Sequence, residues 1–132
     1  MAKLSITCKC KNSLEANVGQ NTRRGRLNWF LSYKCPVCGN AIEEDGVDDT
    51  PEEIRSAIIS QEGEYGLFVT EGTQNVTALI TTLRKVLNLD LKEAAMLKKL
   101  VPGTILKGTK AEMDRLEVLL KNDGIDVLVE KV

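Results

Sequence analysis

The sequence predicts an α+β protein of two modules, and three observations carry that prediction. Four cysteines fall within the first 40 of the 132 residues, among short stretches that alternate in hydrophobicity. From residue 64 onward, apolar residues recur at helical spacing between short strand-like runs. The segment between these regions is acidic. We therefore expect a small β module at 1–45, an acidic linker with a short helix at 46–63, and a β-α-α-β-α-β domain at 64–132.

The net charge of −1 conceals an uneven distribution of charge along the chain. Residues 1–40 hold seven basic residues and one acidic residue, whereas residues 41–64 hold nine acidic residues and one basic residue. Residues 65–132 are nearly balanced. This composition excludes a uniformly basic nucleic-acid binder, but it leaves room for a basic surface on the first module.

The cysteines Cys8, Cys10, Cys35 and Cys38 have the spacing of a metal site. In the run Cys35-Pro-Val-Cys-Gly39, the proline presets a turn and the glycine can adopt a positive φ. Two such corners can hold four sulfurs about 2.3 Å from one zinc ion. Two disulfides, or four unrelated buried thiols, are the structural alternatives.

This region resembles a zinc ribbon, with the resemblance covering roughly residues 1–45. Its first corner is C-x-C and not the commoner C-x-x-C, so that corner must be tighter. A closed site of four thiolates has no open coordination position, and we therefore expect one structural zinc ion. A module of only about 40 residues has too small a core to fold without the metal.

Alternation also predicts strands around the cysteines. Leu27, Trp29, Leu31 and Tyr33 fall on one face of a strand that precedes Cys35, and Phe30 breaks the apolar-polar pattern. Shorter strands are expected through Leu4–Ile6 and Ala41–Ile42.

A basic loop precedes the tryptophan. Arg23, Arg24 and Arg26 lie beside Trp29, and cations with an aromatic ring can hold single-stranded nucleic acid. The alternative is a solvated hairpin tip followed by a tryptophan that packs in the core of the module. The sequence leaves both interpretations open.

Capping signals define the helices. Thr50-Pro-Glu-Glu53 predicts a capping box for a helix that ends at Gly63. Asn75 precedes a second amphipathic helix, and further boxes predict helices that begin after Asp90 and Thr109. The expected strands of the second module are Tyr65–Glu71, Thr104–Lys107 and an alternating run through Ile125, Val127 and Val129.

Residues 64–131 resemble the C-terminal domain of the bacterial ribosomal stalk protein, L seven/twelve. The most specific stretch is Leu89-Asp-Leu-Lys-Glu-Ala94, and Asn75, Pro102 and Gly124 also fall at family positions. The resemblance implies the β-α-α-β-α-β fold. In that family the first two helices of the domain recruit translational GTPases through a basic, partly apolar face.

The family's basic face is only partly present in this chain. Arg84 and Lys92 match basic positions, whereas Val76, Thr81 and Ala95 stand where the family typically has lysine. The resemblance therefore implies the fold and not the factor-binding activity. The candidate partner-binding residues are the cations of these two helices: Arg84, Lys85, Lys92, Lys98 and Lys99. A solvated helix face is the alternative for these lysines.

The sequence contains no histidine, no G-x-S-x-G and no phosphate-binding glycine loop, so we expect no enzyme, no catalytic residue and no small-molecule substrate. It also lacks an apolar run of the roughly 18 residues that span a membrane and a signal peptide, which predicts a cytoplasmic protein without a membrane partner. The leading hypothesis is a zinc-binding adaptor that binds another protein and is ribosome- or translation-factor-associated. Nucleic-acid (RNA) binding through the ribbon, and toxin neutralisation by an immunity protein or antitoxin, are the alternatives.

Overall fold

The computed structural model describes residues 2–70 and 75–132 and divides the chain into two compact units, 1–63 and 64–132. It confirms the α+β class, with two antiparallel sheets and four helices among the described residues. No helix in these ranges is long and apolar enough to cross a bilayer.

The first unit is a four-stranded antiparallel meander with one helix. The sheet order follows the chain order, so each neighbouring pair of strands forms a hairpin. The elements are β1 (Ala2–Thr7), β2 (Ser13–Arg23), β3 (Arg26–Lys34), β4 (Ala41–Val47) and α1 (Glu52–Glu62).

Helix α1 packs on β1 and β2 and supplies much of the core of the first unit. Ile54 and Ile58 are buried against Ala2 and Val18, and Trp29 packs at the margin of this cluster. The segment 46–63, which the sequence predicts as a linker, therefore belongs to the first unit, since β4 also runs as far as Val47.

The start of α1 differs from the predicted capping box. Pro51 occupies the N-cap position, and no side chain caps the helix. The hydroxyl of Thr50 instead accepts a hydrogen bond from the Gln20 amide at 2.7 Å. At the other end of the helix, Gln61 accepts from the Lys3 N–H and donates to its carbonyl, which satisfies part of the exposed edge of β1.

The second unit has the element order β-α-α-β-α-β. Its sheet order is β6-β5-β7, with both pairs antiparallel. The elements are β5 (Tyr65–Val69), α2 (Val76–Leu87), α3 (Leu91–Lys99), β6 (Gly103–Gly108), α4 (Lys110–Asn122) and β7 (Leu128–Lys131). Glu71, at the end of the first predicted strand, lies outside the described residues.

Two of the predicted capping boxes are present. Asp90 and Glu93 satisfy each other's backbone N–H groups at the start of α3, as Thr109 and Glu112 do at the start of α4. Each such cap contributes about 1 kcal/mol to helix stability. Asn75 caps α2 by accepting from the Ala78 N–H at 3.0 Å.

The last strand begins later than the alternation predicts. Ile125 and Val127 are buried in the core, but β7 begins only at Leu128. Gly124, with φ of 78°, donates to the Lys121 carbonyl, and Ile125 donates to that of Leu120. The backbone N–H groups of Gly124 and Ile125 thus bond to the end of α4 and are not available to pair with a neighbouring strand.

We expect Leu83→Ala to destabilise the second unit by about 2–5 kcal/mol, because this fully buried side chain packs among the aliphatic core of the sheet and helices. Chemical denaturation followed by far-UV circular dichroism measures the change. Thr77→Ala, an exposed change on the same helix, is the control and should shift stability by less than about 0.5 kcal/mol. Equal effects of the two changes would contradict the proposed core.

Candidate metal centre

The two cysteine pairs lie in the two hairpin loops at one end of the first sheet. Cys8 and Cys10 are in the loop between β1 and β2, and Cys35 and Cys38 are in the loop between β3 and β4. In an antiparallel meander, alternate turns meet at the same end of the sheet. The topology therefore brings together four side chains that are up to 30 positions apart in the sequence.

The two loops are built in the same way and differ by one residue. In the second loop, the Cys35 N–H donates to the Asn40 carbonyl, and Gly39 (φ of 76°) donates to the Cys35 carbonyl. In the first loop, the Cys8 N–H donates to the Asn12 carbonyl, and Lys11 (φ of 69°) donates to the Cys8 carbonyl. The C-x-C spacing thus closes a loop one residue shorter, with lysine in the left-handed conformation that glycine adopts in the longer loop.

The four sulfurs lie within 4.8 Å of one another. The Sγ atoms of Cys8 and Cys38 are 3.5 Å apart, and those of Cys10 and Cys35 are 3.6 Å apart. Four sulfurs placed tetrahedrally about 2.3 Å from a metal ion would be about 3.8 Å apart. The distances fit a shared ion.

The same distances give no support to the disulfide alternative. All four cysteines are free, and the closest sulfur pairs are well beyond the roughly 2.05 Å of a disulfide bond. Cys8 and Cys35 are buried, whereas Cys10 and Cys38 are exposed, so the cluster lies at the surface of the unit with two ligands inside it.

Backbone amides face the sulfurs and favour thiolate charge. The N–H groups of Cys38 and Val37 lower the pKa of the Cys35 thiol to about 6, despite partial desolvation. The Asn40 N–H lowers the pKa of Cys38, but the neighbouring thiols of Cys8, Cys35 and Cys10, together with desolvation, raise it to about 12. At Cys10, the Asn12 N–H lowers the pKa, while desolvation and the thiols of Cys35 and Cys8 leave it raised overall. Four sulfurs so close together cannot all ionise without a cation.

The tetracysteine cluster can therefore hold one metal ion in a closed, all-sulfur site. With four protein ligands, the ion would have no vacant position for substrate or water. An ion held there would join the two loops.

The predicted nucleic-acid residues lie at the opposite end of the sheet. Arg23 and Arg26 pair across the β2–β3 turn, and Arg24 is within that turn. Trp29 is three residue pairs away from that arginine pair and points to the other face, where it packs with the α1 core. The structure thus separates Trp29 from the two paired arginines. The aromatic side chain that shares their face is Phe30, the residue that breaks the apolar-polar pattern of β3.

The predicted partner-binding cations lie on α2 and α3, and all five are exposed. Arg84 and Lys85 are in the last turn of α2, where the Arg84 Nε donates to the Leu89 carbonyl at 3.2 Å. Lys92 and Lys99 share one face of α3, because seven residues make nearly two helical turns. Lys98 lies about a third of a turn away from Lys92.

The predicted surface consisted of basic residues only, and it did not include the exposed apolar side chains that lie beside these lysines. Leu91, Met96 and Leu100 are 70%, 59% and 50% exposed. The helical spacing of their buried neighbours, Ala94 and Leu97, was the sequence signal that could have placed them outside the core.

Comparison of the chain with protein-family models gives no match, and neither curated proteins nor solved structures give one. The clustered cysteines support a zinc-ribbon-like module, whereas no match supports the resemblance to the stalk domain.

We expect metal affinity at the cluster to rise with pH between 6 and 8. The raised pKa values keep Cys10 and Cys38 protonated at pH 7 in the metal-free site, and metal binding must displace those protons. Each displaced proton changes the association constant by about tenfold per pH unit. Competition with a chromophoric chelator, corrected for the chelator's own pH dependence, measures this slope. An affinity that is constant across the range would contradict thiolate ligation.

Proposed function

We propose that this chain is a non-enzymatic adaptor that binds one structural zinc ion in its first unit and another protein through its second unit. The tetracysteine geometry supports the zinc site. The exposed apolar and basic surface of α3 supports a protein partner.

Zinc is the proposed ion because the site offers only sulfur. The chain contains no histidine, and the four clustered ligands are cysteines at tetrahedral distances. Tetrahedral sulfur sites in proteins hold zinc or iron, and zinc is the usual ion in closed structural sites. Zinc would supply a cross-link between the two loops and balance much of the thiolate charge.

The first unit has few other sources of stability. Its fully buried cluster is formed by four small or medium aliphatic residues, two of which come from α1. A unit of this size and core is near the limit of independent folding. The small core does not reach the β1–β2 and β3–β4 loops. A metal ion bound there would cross-link these two loops, at the end of the sheet opposite the β2–β3 turn.

The proposed partner surface is the outer face of α3, defined by Leu91, Lys92, Met96, Lys99 and Leu100. Ala94 and Leu97 turn toward the core, so at about 100° per residue Lys92 and Lys99 lie near the middle of the outward side. Met96 and Leu100 flank them on one side and Leu91 on the other.

This combination favours an acidic, amphipathic partner segment. Met96 and Leu100, both at least half exposed and neighbours on the helix surface, form an apolar patch that a partner can desolvate, and Leu91 lies on the other side of the lysines. The lysines around the patch attract carboxylates and set the orientation of the bound segment. Arg84 is less suitable as a contact because its side chain already binds the Leu89 carbonyl between the two helices.

A non-enzymatic role agrees with the distribution of reactive groups. Among residues 2–70 and 75–132, the cysteine cluster is the one group of three or more metal-ligating side chains close enough to share an ion. All its members would be ligands of the structural ion, and the acids at Asp90, Glu93 and Glu112 cap helices.

We expect the freshly purified, reduced protein to contain one equivalent of zinc, and chelation to unfold the first unit. Elemental analysis for zinc and iron gives the content, and Trp29 fluorescence reports the first unit. Helical circular dichroism from α2, α3 and α4 should persist, because the second unit contains no cysteine. Less than half an equivalent of zinc, or tryptophan emission unchanged by chelation, would contradict the zinc proposal.

We expect Lys92→Glu/Lys99→Glu, and separately Met96→Ser, to weaken partner binding at least about tenfold, since each change removes charge or apolar contact from the outer face of α3. Affinity capture from the native host with the parent chain identifies a candidate, and calorimetry with the purified candidate measures the change in Kd.

The matched control for the charge reversal is Lys107→Glu/Lys131→Glu on the strands β6 and β7, where both side chains are exposed. A candidate that binds the parent, the control and both α3 variants with equal affinity would remove this face from the proposal.

A further inference from the structure

We propose that the sheet face opposite α1 in the first unit binds single-stranded nucleic acid, with Phe30 as the stacking surface and the arginines of the β2–β3 hairpin as phosphate contacts. This inference is independent of the adaptor function of α3.

The register of the sheet places the adjacent aromatic residues Trp29 and Phe30 of β3 on opposite faces. Trp29 pairs with Gln20 and Gly46, and its indole lies over Gly46 on the face that carries α1. Phe30 pairs with Gly19, and its ring lies over that glycine on the other face. A Cβ atom at position 19 would be 2.5 Å from the Phe30 ring, so only glycine there lets the ring lie so close to the sheet.

The face that carries Phe30 is open and polar. Side chains on this face alternate with the buried ones along β1 and β2 and are mostly exposed. Phe30 itself is partly exposed. An aromatic ring supported from below by a glycine, and open above, suits stacking with a base, which is worth about 1–3 kcal/mol per base.

Polar groups extend from the ring toward the hairpin tip. The next pair on this face is Asn21 with Asn28, and the pair after that is Arg23 with Arg26. The Asn28 amide donates to the Asn21 side-chain oxygen at 3.3 Å, and this bond does not use the side-chain amide of Asn21 or the side-chain oxygen of Asn28. Base edges require such paired donors and acceptors.

A shallow depression of about 360 Å³ lies at this place. Six of its eight lining residues belong to this face and the other two are Trp29 and Gly46; the six are Asn21, Arg23, Asn28, Phe30, Asp45 and Val47. The volume falls within the range of about 300–1,000 Å³ that holds small organic groups in proteins. The Asp45 carboxylate, on the neighbouring strand, can accept from an exocyclic amino group of a base.

The charged side chains of this face determine where a bound nucleic-acid strand can run. Arg23, Arg24 and Arg26 are exposed and make no ion pair among the described residues. Glu43 and Asp45 on β4 repel phosphates. The backbone of a bound strand would therefore follow β2 and β3 from the arginines to Phe30 and would not cross β4. A duplex keeps its bases stacked inside and cannot present one to Phe30.

The test measures fluorescence anisotropy of labelled twelve-nucleotide oligouridine and oligothymidine with the zinc-loaded full chain. With three arginine contacts, the logarithm of affinity should fall with the logarithm of salt concentration with a slope of about −2. Equal affinity for the two oligonucleotides would indicate that the protein contacts only bases and phosphates, which both contain. Tighter binding of the oligouridine would indicate an additional contact with the 2′-hydroxyl of RNA. Either result supports the proposal.

Three variants assign the contacts. Phe30→Leu still covers Gly19 but has no ring, and it should weaken binding at least about fivefold, whereas Phe30→Tyr should retain the parent affinity. Arg23→Gln/Arg26→Gln should reduce the salt slope to about −0.7. The control Lys107→Gln/Lys131→Gln, with the same loss of charge on exposed strand residues of the second unit, should leave both quantities unchanged.

Zinc content and thermal denaturation verify that each variant is folded. The proposal is overturned if the parent chain gives no anisotropy change at low salt, or if folded Phe30→Leu binds like the parent. Equal weakening by the control pair would also overturn it, since nonspecific charge would then explain the binding. Binding of an acidic protein segment to this face, with no binding of either oligonucleotide, would be a further contrary result.

Discussion

The antiparallel register between β2 and β3 is the constraint on which the first unit depends. It pairs Val18 with Leu31 and closes the hairpin at Arg23 and Arg26, so both cysteine loops emerge at the other end of the sheet. A shift of one residue would exchange the two faces of each strand. Trp29 would then leave the α1 core, and Phe30 would lose its place over Gly19. The core, the metal centre and the open face thus follow from one set of backbone hydrogen bonds.

The two units are stabilised by different means. The second unit has an extensive aliphatic core, and α4 packs on all three of its strands. The first unit has a small core beneath α1 and four cysteines at the end of the sheet where its loops meet. A metal ion there would join the β1–β2 and β3–β4 hairpins across the two central strands. Proteins with small cores commonly require such a cross-link.

Local chemistry was predicted well where the residues that determine it are close in sequence. The capping boxes at Asp90 and Thr109 each join residues three positions apart, and both are present. The predicted cap at Thr50 was wrong, since Pro51 is the N-cap and the Thr50 hydroxyl accepts from Gln20, 30 positions away. The last strand was predicted too early because Gly124 and Ile125 close the end of α4. Each departure is accompanied by a hydrogen bond that the local sequence pattern does not contain.

The sequence by itself determined the α+β class, most of the helices and the four cysteines as candidate ligands, because periodicity and loop spacing are local properties. Only the tertiary structure decided that the segment 46–63 is part of the first unit, since that depends on α1 covering β1 and β2. It also decided that the arginines accompany Phe30 and not Trp29, and that Met96 and Leu100 remain exposed on α3. A pattern can predict that a residue lies on one face of an element, but the packing of distant segments determines whether that face is covered.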